Sequence, residues 1–287
     1  MNLSILIAAY KADPFLPAAF ASIAAQTHLD WELIVVEDGS RDTTEALVQQ
    51  FAASHPGRRI VYDNLGVNRG VAAARNRLLA LAQGDGVAFL DADDQWTPTH
   101  LADLSLALEA GAALAFSGIE LWDGDRHQTM GTYLPPAPWL EEPRRWIFEH
   151  SFVQTSSCVA LPKATISRIG LIDETLRIGE DRDYWFRALA GGGKIACTGK
   201  VTCRYTKHEG SSMTKTLRVA SDTVAFYRKH HEDASLPLAL RRRLLAHALW
   251  IQGRLLRASD RATARQNFRE AIRLQPLALR YWPYCFA

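Results

Sequence analysis

Asp91-Ala92-Asp93-Asp94 follows directly on the apolar run 87–90, and no other stretch of the chain has residue types so suited to chemistry. The run is bounded on its other side by Gly84-Asp85-Gly86, which predicts a short buried strand. The carboxyl end of that strand then crowds three carboxylates together. Such a cluster repels itself unless a cation or a set of hydrogen-bond donors neutralises it. Hard oxygen ligands suit a partly hydrated Mg2+ or Mn2+, with substrate phosphates completing the shell. Ligands of open α/β sheets collect beyond the carboxyl ends of the strands, where this cluster falls. The same residues would also serve as an Asp-rich turn capping a helix near Pro98. Both uses are open on these residues alone.

Three further groups share this ambiguity. Glu37-Asp38-Gly39-Ser40 ends a second apolar run, where a carboxylate can accept from a base N–H or a ribose hydroxyl or simply form an Asx turn. The connection Gly66-Val67-Asn68-Arg69-Gly70 leads into a helix with Arg75 and Asn76 in its first turns, a place for an anion that Arg75 would reinforce. Glu180-Asp181-Arg182-Asp183 begins another helix. Acids are expected in a first helical turn for dipole reasons, and equally one of them could act as a general base on an attacking hydroxyl. His208, just after a strand-like run, is a metal- or phosphate-ligand candidate or a structural histidine.

The elements that must hold these residues alternate. Runs at 3–9, 32–36, 59–62 and 87–90 predict strands, and 14–26, 43–51 and 70–83 predict helices between them, which implies a mostly parallel sheet with right-handed crossovers. Beyond a helix near 99–108 and a strand near 113–119 the pattern loosens. Residues 122–143, rich in Gly, Pro, Trp and Asp, predict a long loop or hairpin. Strand 156–161, helices at 163–169 and from 180, and two short strands near 194–197 and 201–205 follow. From Leu217 the chain is helical, with a pair at 236–256 and 261–274 whose Ala264, Phe268, Ala271, Ile272 and Pro276 resemble one tetratricopeptide-type hairpin.

Bulk composition excludes some classes. With 287 residues, 48% apolar and a net charge of +2, the chain is neither disordered nor a nucleic-acid binder by charge. The four cysteines lack zinc spacing and are expected as reduced thiols. The opening apolar run is short and has no basic leader, so a secretory leader is not expected and a cytoplasmic location is. From Arg241 onward ten arginines face only Asp260 and Glu270. Either a solvated helix face or contact with an anionic membrane, through Arg241-Arg242-Arg243, Arg254, Arg257 and Trp282, would explain that excess.

Taken in order, Ser4 to Tyr10, Leu33 to Ser40, Asn68-Arg69-Gly70, Ala74-Arg75-Asn76 and Phe89 to Asp94 resemble the first half of the family 2 inverting glycosyltransferases. Gly170 to Glu174, Gly179-Glu180-Asp181 with Trp185 and Arg187, and Tyr205 with His208-Glu209-Gly210-Ser211 resemble its acceptor-side half. The resemblance covers residues 1 to about 215. It implies a GT-A fold, a single Rossmann-like mixed α/β sheet flanked by helices, with residues 1–100 as nucleotide-sugar half and 101–215 as acceptor half. Residues 216–287, a helical C-terminal extension, inherit nothing from it.

The resemblance also implies an activity: inverting transfer of a sugar from a nucleotide-diphosphate sugar, UDP-linked by preference, to a hydroxyl of a glycan or lipid-linked glycan. Ala8, Ala9 and Tyr10 would border the base and Asp38 would contact the uracil or equivalent ring. Arg75 and Asn76 would lie near the ribose or diphosphate. Asp91-Ala92-Asp93 would bind Mn2+ or Mg2+ with the diphosphate, Asp94 being a substitute ligand and His208 closing over the site. Asp181 would be the base, with Glu180 second. Glu37 stands where the family more often has Asp. Trp96 and Trp185 could stack on sugar faces or pack in the core, and the tail helices could pair two copies. A nucleotidyltransferase would share the paired carboxylates, but Ala8-Ala9-Tyr10-Lys11 is a poor phosphate loop. A non-catalytic sugar- or nucleotide-binding module is the other alternative.

Overall fold

The computed structural model describes residues 1–208 and 216–284, and these divide into two units. The first comprises Met1–Glu174 and Asp181–Gly210, the second Thr175–Glu180 and Ser211–Ala287. Residues 175–180 thus group with the tail rather than with the first 215 residues, because Asp222 accepts from the amides of Arg177 (3.1 Å) and Ile178 (3.0 Å).

The first unit is built on one mixed sheet. Its strands are β1 (Leu3–Ala9), β2 (Trp31–Glu37), β3 (Ile60–Asn64), β4 (Gly86–Phe89), β5 (Gln95–Trp96), β6 (Leu114–Asp123), β7 (Gln128–Tyr133), β8 (Val159–Pro162) and β9 (Ile195–Lys207). The spatial order is β3-β2-β1-β4-β8-β6-β9-β5, with β7 hanging on β6. The first four of that order run parallel, whereas β8 is antiparallel to both β4 and β6. The continuous apolar sequences of β1 and β2 follow from this placement: Leu3, Ile5 and Ile7 of β1 and Leu33 to Val36 of β2 are at 0% exposure, covered on both faces.

Between the strands lie α1 (Leu16–Ala24), α2 (Thr44–Ser54), α3 (Val71–Leu81), α4 (His100–Glu109), α5 (Pro143–His150), α6 (Lys163–Ile169) and α7 (Glu180–Ala188). The small residues Ala72, Ala73 and Ala74 on α3 are buried and let its backbone approach the sheet. Trp185 is buried edge-on against Phe89, ring centroids 5.5 Å apart. Trp96 is buried too, stacked on His100 at 4.6 Å with its indole N–H donated to the Ser157 carbonyl at 2.7 Å. Both tryptophans are therefore core residues, the second of the two uses left open by the sequence.

Of the two forms expected for 122–143 the hairpin is found: β6–β7 is followed by a 3-10 turn at Ala137–Leu140 and then α5. One sequence expectation changes. The two short strands near 195 and 203 are one strand of 13 residues, which pairs parallel with β6 and absorbs Gly199 (φ 70°) in a register shift.

The second unit contains α8 (Thr216–Lys229), α9 (Leu238–Leu256) and α10 (Arg261–Leu274). Asp260 caps α10 by accepting from the Thr263 amide at 3.0 Å. Gly253 lets α9 and α10 meet: a Cβ there would lie 2.7 Å from the Phe268 ring. Ser221, Gln252 and Asn267 form a side-chain relay across the three helices, with links of 3.0 and 2.9 Å.

Candidate active site

The order β2-β1-β4 places the reversal of winding between β1 and β4, so a crevice opens beyond their carboxyl ends. Ala9 pairs with Glu37 and Leu6 with Phe89, which brings the residues after all three strands to one rim. On the β1 side Ala9 is buried and Tyr10 is 48% exposed, and Lys11, at φ 52°, turns the chain so that its amide reaches Ser40 Oγ at 3.1 Å. Glu37 is buried, accepting from Ser40 Oγ (3.0 Å) and from Tyr62 OH (2.5 Å). The extra methylene of Glu, where the family more often has Asp, thus spans to β3.

Asp38 organises the neighbouring loop. Its two oxygens accept from the amides of Arg69 (2.7 Å) and Gly70 (2.8 Å). Gly39 makes room for that loop, since at φ 72° a Cβ would lie 2.4 Å from the Val67 carbonyl carbon. Loop 66–70 is thereby laid along the rim and passes into α3, which carries Arg75.

The three aspartates after β4 have three different surroundings. Asp91 accepts from Arg75 at 2.7 Å, and Asp93 lies 3.0 Å from His208 Nε2. Their side chains are 33% and 29% exposed. Burial and the Asp91 charge push the Asp93 carboxyl upward, and His208 opposes the rise. Asp94 turns inward to 1% exposure. It accepts from Ser157 Oγ at 2.5 Å, Thr155 Oγ1 at 3.1 Å and the Thr206 amide at 2.8 Å. Ser157 Oγ also receives the Asp91 amide at 2.9 Å, so the 155–157 turn clamps the whole acidic turn.

Asp181, at the start of α7, belongs to the same neighbourhood. Burial raises its carboxyl above the ordinary carboxylate range; Arg75 and the Arg182 amide pull it back, and the Asp91 charge adds to the rise. Its Oδ1 accepts from the Arg182 amide at 2.6 Å. Tyr205 registers the cluster from β9: burial and the charges of Asp94, Asp91, Asp93 and Asp181 push its phenol to about 12. The two acidic groups are therefore close enough to feel one another's charge.

The family model described as Glycosyl transferase family 2 matches residues 4–170. The chain is a family 2 glycosyltransferase. A Bacillus subtilis protein named as a teichuronic acid biosynthesis glycosyltransferase, TuaG, is 36% identical over 228 residues, spanning 79% of this chain and 87% of its own. Among solved structures, Staphylococcus aureus TarS (residues 1–349) in complex with UDP-GlcNAc superposes with a TM-score of 0.70 at 19% identity, over 96% of this chain and 81% of that one. A mannosyltransferase of Pyrobaculum calidifontis in complex with GDP-Man and Mn2+ gives 0.65 at 17% identity, over 99% and 83%. At those identities the structural likeness establishes the GT-A fold and no more. Family membership sets aside the nucleotidyltransferase and the non-catalytic module.

The group implied by the family resemblance is a divalent cation, and the donor set can be compared with it. Among the described residues no group of three or more His, Cys, Asp and Glu could hold an ion unaided. Two part-exposed carboxylates, with the Asp91 charge raising the proton affinity of Asp93, fit an ion taking the rest of its shell from phosphate and water. The remaining site candidates have these settings. Asp94 faces inward with both oxygens engaged, where it anchors the turn. His208 stands beside Asp93, the carboxylate expected to take the ion, with its ring stacked on Phe15 at 5.1 Å. Asn76 braces α3: its amide donates to the Ile172 carbonyl (2.9 Å) and Glu174 (3.0 Å) and accepts from the Ile172 amide (2.8 Å), so it does not face the ribose or diphosphate.

Of the two base candidates, Glu180 is buried at 6% exposure, whereas Asp181 is half-buried. Ala92 is buried between the two exposed carboxylates. Thr155, Ser157 and Thr206 were not singled out from the sequence; a hydroxyl cluster before a strand carries no signal until its partner, 61 to 112 residues away, is known. Cys158, Cys197 and Cys203 are free thiols. Cys285 and Glu209 to Ser212 lie outside the described residues.

Proposed function

We propose that this glycosyltransferase moves a sugar from a nucleotide-diphosphate sugar, UDP-linked by preference, to a hydroxyl of a glycan or lipid-linked glycan in polysaccharide biosynthesis, with inversion by a single displacement. The observation that carries the proposal is the gathering of Asp91, Asp93, Arg75 and Asp181 in one neighbourhood beyond the carboxyl ends of β1 and β4. Ala8, Ala9 and Tyr10 border the donor base. Asp38, whose oxygens each keep a second lone pair, accepts its N–H. Asp91 and Asp93 hold Mn2+ or Mg2+, which when bound supplies Lewis-acid stabilisation to the departing diphosphate. Arg75 orients Asp91 and adds positive charge beside the same phosphates. His208 orients Asp93. Asp181 takes the proton from the acceptor hydroxyl as that oxygen attacks the anomeric carbon opposite the leaving group. The UDP-GlcNAc bound by TarS supports a UDP-linked donor, the Mn2+ in the mannosyltransferase complex supports a divalent ion, and TuaG's name supports a place in polysaccharide biosynthesis.

The test uses purified protein with a panel of nucleotide sugars and Mn2+. Donor hydrolysis or transfer should depend on the ion, and Asp93→Ala should abolish metal-linked nucleotide binding by calorimetry. Full turnover by Asp93→Ala would refute the metal assignment.

We further propose that the enzyme works at the cytoplasmic face of a membrane, held by its second unit. No helix among the described residues is long and apolar enough to cross a membrane. Arg241, singled out from the sequence, is buried and donates to the carbonyls of Leu236 and His231, so it is not part of a surface. The basic face is instead on α10, where Arg261, Arg265, Arg269 and Arg273 recur every four residues, all exposed. Leu277 (93% exposed), Leu279 (78%) and Trp282 (42%) follow, an apolar group suited to a lipid interface. Flotation with vesicles containing anionic lipid should exceed that with neutral vesicles, and equal flotation would refute the contact.

A further inference from the structure

The hairpin and helix at 128–150 end in a group of rings that the reaction described above does not use. Trp139 and Trp146 stack with centroids 4.9 Å apart and planes 16° from parallel. His150 stacks on Trp146 at 5.6 Å and on Trp139 at 6.0 Å, with interplanar angles of 26° and 17°. The indoles are half-buried and His150 is exposed. Beneath them Phe152, at 1% exposure, meets Trp139 at 6.0 Å and Phe116 at 5.8 Å, which fixes the group to β6. Three near-parallel rings retained at a surface have lost chain entropy without full burial.

Their supports lead to the reacting groups from both sides. Arg182, whose amide bonds Asp181, sends its guanidinium to the carbonyls of Ile147 (2.9 Å) and Phe148 (2.7 Å), the last turn of α5. Arg144 lies over the Phe186 ring at 4.1 Å, so α5 packs on α7. In the other direction, Ser151 adopts a left-handed conformation (φ 42°) that reverses the chain into Phe152 and on to Thr155 and Ser157, the residues that clamp Asp91 and Asp94. The rings thus stand on the segment joining the base to the acidic turn, within unit 1 and apart from the β1–β2 rim assigned to the donor nucleotide.

The chemistry selects the occupant. A pyranose ring has one face of C–H groups with partial positive charge, which matches the negative face of an aromatic ring. Its hydroxyls need polar partners, and Arg145, whose guanidinium lies 5.7 Å from the Trp146 ring centroid, is held beside the rings by Glu142 (2.7 Å) and Glu149 (3.9 Å). A nucleobase would stack equally well on an indole, but the donor base has its place at the other rim.

We propose that Trp139, Trp146 and His150 form a platform that binds a sugar ring of the acceptor glycan and so selects the hydroxyl presented to Asp181. The platform deepens the glycosyltransferase proposal above and rests on it. The test measures tryptophan-fluorescence titration of the full chain, with UDP and Mn2+ present, by β-linked gluco- and galacto-oligosaccharides of two to four rings. Saturable binding is expected for wild type. Trp139→Ala and Trp146→Ala should each weaken it at least tenfold. UDP affinity and donor hydrolysis by water should stay within twofold, and the Tyr variants should recover most of the loss. Absence of saturable oligosaccharide binding to wild type that still binds UDP would overturn the platform. So would Ala variants that bind oligosaccharide normally, or that lose UDP affinity in parallel, since the rings would then only support the fold. Failure of wild type to bind UDP with Mn2+ would overturn instead the donor assignment beneath it.

Discussion

Asp94→Ala and Asp94→Asn together decide whether the third aspartate anchors the turn or binds metal. Asp94 accepts three hydrogen bonds, at 2.5, 2.8 and 3.1 Å, in a site of 1% exposure. Bonds to a charged acceptor are worth about 1.5–3 kcal/mol each, but the carboxylate's desolvation costs several kcal/mol and cancels much of the sum. What remains on truncation is the stranded Thr206 amide, about 1–3 kcal/mol, plus the cavity left by the side chain. Asp94→Ala should therefore lose about 2–4 kcal/mol, a fall in thermal midpoint of roughly 5–15 °C. Asn keeps an acceptor for Thr206 and turns its amide toward two hydroxyls that can rotate to accept, so Asp94→Asn should lose about 1 kcal/mol or less. Burial and the charges of Asp93 and Asp91 hold the Asp94 carboxyl well above the ordinary range. The folded protein then binds this proton more tightly than the unfolded chain, and in metal-free buffer its contribution to stability falls as pH rises from about 4; Asn should flatten that slope. Thermal denaturation across pH, paired with Mn2+–UDP calorimetry, reads both effects. The reasoning fails if Asp94→Asn stays as stable as wild type yet loses metal-linked UDP binding as fully as Asp93→Ala.

Two other outcomes follow from the geometry. The base must be ionised to work, and burial raises the Asp181 carboxyl. The rate of transfer should therefore rise with pH along an acid limb lying above the ordinary carboxylate value, and Asp181→Asn should remove transfer while UDP still binds by calorimetry. Asn76→Ala breaks three hydrogen bonds between α3 and residues 172–174, two of them buried, and should destabilise the first unit by about 2–4 kcal/mol in urea titration, with the metal affinity of correctly folded protein unchanged.

Much of the fold is legible from residue order, for a physical reason. β1, β2 and β4 are buried on both faces, so they appear as unbroken apolar runs, and the helices between them carry their own start and stop signals. Asp91, Asp93 and Asp181 stand out in sequence as acids at the ends of such elements, and the fold brings them near one another. What is not legible depends on partners distant in sequence. Gly199 reads locally as a break, yet pairing with β6 carries β9 straight through it. Asn76 beside Arg75 looks like a ligand residue until its partner 96 residues away is seen. Trp96 shows nothing in sequence of the Ser157 carbonyl that takes its N–H.

The turn at Asp94 also limits how such an enzyme can be recombined. Its bonds gather a hydroxyl pair from one stretch of chain and a backbone amide from another, both beyond residue 101. A chimera joining residues 1–100 of this protein to the remainder of a relative would inherit a misplaced acidic turn unless hydroxyls arrived at positions 155 and 157. Exchanging the 128–150 segment alone leaves those bonds in place, whereas swapping halves does not.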